Sequence, residues 1–153
     1  MRANFINPFL TSTASVFSQM LGVEIRREPP FLRNEFSPQF DVTGIVGLTG
    51  NATGTVAVSL PREMAIAVTE VLTGEVHGSV NPQVADAVGE LTNMIAGAAK
   101  SQLESLQLNL GLPTVIIGRS TCIAFPSKTS PISIPFDSRL GCFTVEVGLI
   151  EQP

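Results

Sequence analysis

The run Asn81-Pro82-Gln83-Val84-Ala85-Asp86-Ala87-Val88-Gly89-Glu90-Leu91-Thr92-Asn93-Met94-Ile95-Ala96-Gly97 reads as the start of a long amphipathic helix. Asn81 suits the N-cap, where a side-chain oxygen accepts from an otherwise unpaired N–H of the first turn. Pro82 suits the first helical position, because its missing N–H costs nothing there. Val84, Val88, Leu91, Ile95 and Ala99 recur at helical intervals and form an apolar stripe. At about 3.6 residues per turn, Asp86, Glu90, Asn93, Gly97, Lys100, Ser101 and Glu104 fall on the opposite side. The pattern predicts a helix from Pro82 to about Leu106.

Outward from this helix, the chain shows the same grammar twice. An earlier Asn-Pro pair, Asn7-Pro8, opens a predicted first helix that runs through Phe9, Leu10, Val16, Phe17, Met20 and Leu21 to a stop at Gly22. After a polar stretch around Pro29-Pro30, the segments Phe40–Leu48 and Gly54–Leu60 read as strands, with the turn chemistry of a hairpin in Thr49-Gly50-Asn51-Ala52-Thr53. Pro61 opens a short helix over Arg62–Leu72. Beyond the long helix, Thr114–Gly118, Ile132–Phe136 and Cys142–Leu149 read as strands, the last with the alternation of a half-buried one. The expected fold is therefore α/β of the α+β kind: a single domain over residues 1–153, with long helices covering a mainly antiparallel six-stranded sheet. Its two halves, each a helix and three strands, form a pseudo-duplication. Laying Asn7-Pro8 on Asn81-Pro82 pairs Val16 with Glu90, Gln19 with Asn93 and Met20 with Met94, so in this register the first helix has an amide but no acid.

Composition narrows the function classes. The chain has 153 residues, 44% of them hydrophobic, enough for one sizeable core. A net charge of -4 offers no basic footprint for nucleic acid. No apolar run approaches the roughly 20 residues needed to span a bilayer, and the N-terminal pattern is not that of a signal peptide, so a cytoplasmic location is expected. Cys122 and Cys142 lie far apart in strand-like segments without C-x-x-C spacing, and are expected to be buried, reduced thiols. His77, the only histidine, falls in the connection Leu72–Gly78 and is expected to be solvated. With one histidine there is little from which to build a catalytic triad or a histidine-rich zinc site. No metal site is expected.

Glu90 and Asn93 remain as the candidate chemistry. Residues three apart on a helix are surface neighbours, so one carboxylate and one carboxamide point the same way. Such a pair can hold a cation and steer a water. A Glu-x-x-Asn on an exposed face is by itself usually solvated surface. Here it lies mid-helix on the polar side and is flanked by Gly89 and Gly97, whose small size would let a partner's surface come close. Asp86 and Lys100 share that face as rim positions.

Taken together, Asp86–Gly97, the segment Pro113-Thr114-Val115-Ile116-Ile117-Gly118-Arg119 and the turn at Leu48-Thr49-Gly50 resemble the CheC, CheX and FliY family of chemotaxis phosphatases. The single Glu-x-x-Asn places the chain on the CheX branch, since CheC-like members carry the motif on two helices. The resemblance implies hydrolysis of the aspartyl phosphate on a response-regulator receiver domain of the CheY type. It implies that Asn93 orients the attacking water and that Glu90 pairs with the receiver's lysine. It implies no cofactor beyond the Mg2+ that the receiver carries, a structural place for Arg119, and a homodimer joined at sheet edges. A contrasting reading is a non-catalytic module that binds a receiver or an adaptor in a signalling or flagellar switch complex.

Overall fold

The computed structural model describes residues 3–33, 38–119 and 130–153. Three helices, α1 (Ala3–Val16), α2 (Arg62–Thr73) and α3 (Pro82–Ser101), lie on one face of an antiparallel sheet. Its strands are β1 (Ile25–Arg27), β2 (Phe31–Leu32), β3 (Val42–Thr49), β4 (Ala52–Leu60), β5 (Asn109–Leu110), β6 (Thr114–Ile117), β7 (Ile132–Ser138) and β8 (Gly141–Glu151). The hairpins β3–β4 and β7–β8 lie side by side, joined where β4 pairs with β8. Each half lends its short strands to the other half's hairpin: β1 and β2 pair with β7, while β5 and β6 pair with β3. This exchange makes the two halves pseudo-equivalent, as the sequence pattern implies.

Among the described residues the sheet has eight strands, not the expected six, and the five located from sequence are all present as β3, β4, β6, β7 and β8. The additions are the two- and three-residue strands β1, β2 and β5, too short to show a period in sequence. The far end of β3 alternates in burial; the central strands β4 and β8 are buried on both faces, with Thr55, Ser59, Thr144 and Glu146 covered on the side away from the helices. Val42, Val46, Val56, Val58, Leu60, Val145 and Val147 are all buried beneath the helices. Phe143 stacks on Phe17 from the helical layer and on Phe136 from β7, with ring centroids 4.5 and 5.1 Å apart.

The predicted start of the first helix is corrected. Asn7 does not cap it. Helix α1 begins at Ala3 and carries Pro8 inside, because the extra turn brings Phe5 into the core beside Phe9. After Val16 the chain widens into a π-turn, Phe17–Leu21, that buries Phe17 and Leu21 and ends at Gly22 in the left-handed conformation. The widened turn leaves Met20 50% exposed.

The duplication register shifts with it. Phe5, Pro8, Phe9, Ser12, Thr13, Val16 and Phe17 on α1 follow, residue for residue, the buried pattern of Val84, Ala87, Val88, Leu91, Thr92, Ile95 and Ala96 on α3. Both helices also bend a buried threonine hydroxyl back onto the preceding turn: Thr13 donates to the Phe9 carbonyl at 2.6 Å, and Thr92 to the Val88 carbonyl at 2.8 Å. In this register Thr11 stands opposite Glu90 and Ala14 opposite Asn93. At these two positions helix α1 therefore has neither the acid nor the amide.

Helix α3 is fixed at both ends. The Asn81 side chain accepts from the Val84 N–H at 2.9 Å, as its sequence context predicts. The helix ends at Ser101 instead of near Leu106, since the chain must turn to bury Leu103, Leu106 and Leu108. Between its ends, α3 lies directly on β3 at Gly44, where a Cβ would collide with the Thr92 hydroxyl. Only glycine permits that approach, and it seats α3 on the sheet.

Two further expectations are corrected. His77 is buried, its ring bracketed by the Thr73 hydroxyl at 3.4 Å and the Asn81 amide at 3.3 Å. Its backbone N–H also donates to Glu70 Oε1 at 3.3 Å, so it ties the end of α2 to the N-cap of α3. Cys142 is exposed, because the alternation that buries Phe143 turns its neighbour outward. Its thiol donates to Asp137 at 3.3 Å, and that carboxylate raises the thiol's pKa. Cys122 lies outside the described residues. Arg119 has the structural place expected of it: its Nε donates to Asp41 at 3.1 Å, and the same carboxylate accepts from the Arg62 N–H at the start of α2. Among the described residues, no helix is long and apolar enough to cross a membrane.

Candidate functional site

The buried stripe of α3 decides what its outer face presents. With Val84, Val88, Leu91, Thr92, Ile95 and Ala99 inside, Glu90 is exposed and Asn93 half-buried, midway along a helix held by cap, core and sheet. Neither side chain makes a hydrogen bond or ion pair within the described residues. An acid and an amide that the fold does not use stand on a rigid support, which is what precise positioning of a reacting group requires.

The two side chains sit on adjacent rows of the helix. Gly89, Asn93 and Gly97, four residues apart, run beside the β5–β6 segment. Asp86, Glu90 and Met94 run beside α2 and the π-turn, where they help line a depression of about 510 Å³. The pair thus straddles the crest of α3. Lys100 and Gly97 line a different depression toward Leu108 and Leu110. The structure therefore brings Asp86 to Glu90's side of the crest and Lys100 to Asn93's.

The two flanking glycines differ. Gly89 is buried, and a Cβ there would lie 3.2 Å from Val115 and 3.5 Å from Pro113. It admits the chain's own β6 segment, not a partner's surface as expected. At Gly97 a Cβ would meet only Leu110, at an ordinary 3.8 Å. Internal packing leaves that position free to carry a side chain.

Met20 was not placed near the pair by the sequence. The register built on Asn7-Pro8 matched it to Met94, whereas the fold puts both on one depression. Met20 reaches it from the π-turn, which no residue pattern announces. Among the described residues there is no group of three His, Cys, Asp or Glu side chains able to hold a metal ion.

The fold and site define an α+β domain with pseudo-duplicated halves, of which only the second displays an acid and an amide on its helix. Such a domain is a single-motif member of the CheC-like superfamily. Residues 42–137 match the family model described as chemotaxis phosphatase CheX, and the chain belongs to that family. It is 27% identical over 122 residues to the CheY-P phosphatase CheX of Thermotoga maritima, a match covering 78% of this chain and 79% of that protein. The crystal structure of the chemotaxis protein CheX from Desulfovibrio desulfuricans is 34% identical, with a TM-score of 0.85 over 95% of this chain and 99% of that one. The CheX of a CheX–CheY–BeF3–Mg2+ complex from Borrelia burgdorferi is 26% identical, with a TM-score of 0.82 over 98% of this chain and 100% of that one.

Proposed function

We propose that this protein hydrolyses the aspartyl phosphate of a phosphorylated CheY-like receiver domain, with Asn93 orienting the attacking water and Glu90 pairing with a lysine of the receiver. The observation that carries this reading is the exposed, internally unengaged pair at the crest of a rigid helix. The CheY-P phosphatase and the CheX–CheY complex among the relatives support it.

The chemistry asks little of the phosphatase. Phosphoryl transfer depends mainly on an in-line nucleophile and on compensation of charge at the phosphoryl oxygens. A carboxamide both donates and accepts, so Asn93 can hold a water by its oxygen while its NH2 engages the phosphoryl group. The receiver supplies the aspartyl phosphate and the Mg2+ that offsets its charge. Glu90 provides the docking charge, and because α3 is stiff, docking Glu90 also sets the depth to which Asn93 enters. Asp86 and Lys100 form rim contacts on either side of the crest.

Gly97 lies one turn beyond Asn93 and faces the incoming receiver. Gly97→Ala is expected to leave thermal stability unchanged or raised by up to about 1 kcal/mol, as alanine is the better helix former. The same methyl group is expected to raise KM for the phosphorylated receiver several-fold. An unchanged KM in steady-state assays would remove Gly97 from the interface.

We also propose a cytoplasmic homodimer, joined at sheet edges, with one site helix per subunit. Unpaired edge strands favour such pairing. Sedimentation equilibrium at micromolar concentration is expected to give about twice the 16.2 kDa chain mass, and a monomeric mass would contradict the dimer.

The phosphatase reading is tested by following phosphate on labelled CheY-like receivers from the same organism. Accelerated loss from one of them, over its spontaneous decay, is the expected result. Binding of an activated receiver with no acceleration for any of them would replace the reading with a non-catalytic docking module.

A further inference from the structure

The depression beside Glu90 has a composition of its own. Its lining is mainly apolar, from Met20, Leu72, Ala87 and Met94, with Thr73 and Gln83 beside them, and on α3 it carries the carboxylates of Asp86 and Glu90. Among the described residues, no lysine, arginine or histidine lines it. Met20 is half exposed, since the buried positions of the π-turn are taken by Phe17 and Leu21. An unbranched thioether adapts to irregular apolar shapes, and methionines recur on surfaces that receive partner side chains.

The outer face of α1 differs, although its burial pattern matches that of α3. It too borders a depression, of about 490 Å³, lined by Leu10, Thr11, Ala14 and Phe136 among others. That one contains Arg27 and no carboxylate. It lies toward β1 and β7, the side that corresponds to β5–β6 of α3, so it differs from the depression beside Glu90 in both place and charge. A cationic, apolar-tipped segment is drawn to the acidic rim that Asp86 and Glu90 form beside the crest of α3.

We propose that the depression between α2, the π-turn and α3 is a specificity pocket for the receiver, taking an apolar side chain flanked by lysine or arginine from the surface next to the receiver's phosphorylation pocket. This rests on the phosphatase reading, because Glu90 belongs both to the crest pair and to the rim of the depression. The charge complementarity of Asp86 and Glu90 and the exposed methionine select the occupant. Receivers that share the phosphorylation chemistry but lack this segment would be poor substrates.

The test uses the full chain with Met20→Lys and Asp86→Asn. Both sites are exposed, and thermal melts compared with wild type establish that the variants are folded. Met20→Lys fills the depression with a cation and is expected to raise KM for the phosphorylated receiver at least fivefold, with a much smaller fall in kcat. Asp86→Asn is expected to raise KM two- to threefold and to flatten its dependence on salt. Unchanged KM in both variants overturns the proposal even when wild type is active. Should wild type fail to accelerate dephosphorylation, titration with receivers activated by BeF3 and Mg2+ still decides the pocket: weaker binding by Met20→Lys supports it, and equal binding refutes it.

Discussion

Asn93→Ala is expected to bind a phosphorylated receiver about as well as wild type and to hydrolyse it at least about 100-fold more slowly, a loss of about 2.7 kcal/mol in transition-state stabilisation. The size follows from the role proposed. A water without its amide partner must find the in-line position by chance, and positioning of this kind carries much of the catalysis in phosphoryl transfer. The retained affinity follows from the fold. Asn93 is half-buried and makes no hydrogen bond or ion pair within the described residues, so its truncation removes nothing that supports α3 or Glu90. A melt within about 0.5 kcal/mol of wild type would show that the fall in rate is not a loss of structure. Asn93→Asp makes a sharper version: it keeps the shape, removes the donor, and brings a negative charge toward the phosphoryl group, so it too should be inactive.

Glu90→Lys is expected to fail at the earlier step. It sets a cation against the receiver's lysine where the proposed contact needs a carboxylate, and like charges brought together at an interface cost several kcal/mol. Affinity for a BeF3-activated receiver should fall at least 30-fold, with the fold itself undisturbed because Glu90 is exposed on the crest. Glu90→Gln should fall between the two and show a weaker salt dependence than wild type. Titration calorimetry reads all three, and unchanged affinity in the lysine variant would remove Glu90 from docking. The pair of predictions separates the two residues: one variant binds without turning over, and the other turns over poorly because it does not bind.

Much of this architecture was legible from residue order. The helix α3 and its Asn81 cap, the hairpin β3–β4, the short helix after Pro61 and the strands β6, β7 and β8 all follow from periodicity and turn chemistry. What was not legible depends on contacts far apart in sequence. Asn7-Pro8 looks like a helix start, yet burying Phe5 beside Phe9 is worth more than an N-terminal proline, and α1 absorbs Pro8. The rim strands β1, β2 and β5 exist because a neighbouring strand pairs with them, not because two or three residues show a period. His77 is buried by the convergence of Thr73 and Asn81, which no local pattern announces.

The candidate site divides along the same line. Glu90 and Asn93 could be read directly, since both belong to one helix whose buried stripe fixes their direction. The depression beside them could not, because it joins α3 to Met20 and Leu72 across three elements. The vacancy on α1 was reached from the wrong register. Matching the threonine back-bonds of Thr13 and Thr92 pairs Thr11 with Glu90 and Ala14 with Asn93, and so removes both members of a second pair instead of one.

The account is tested most directly by single-turnover decay of phosphate from a receiver saturated with wild-type protein, alongside the same receiver saturated with Asn93→Ala. It predicts decay well above the spontaneous rate with wild type, and decay at or near the spontaneous rate with the variant. Equal acceleration by the two proteins would contradict it.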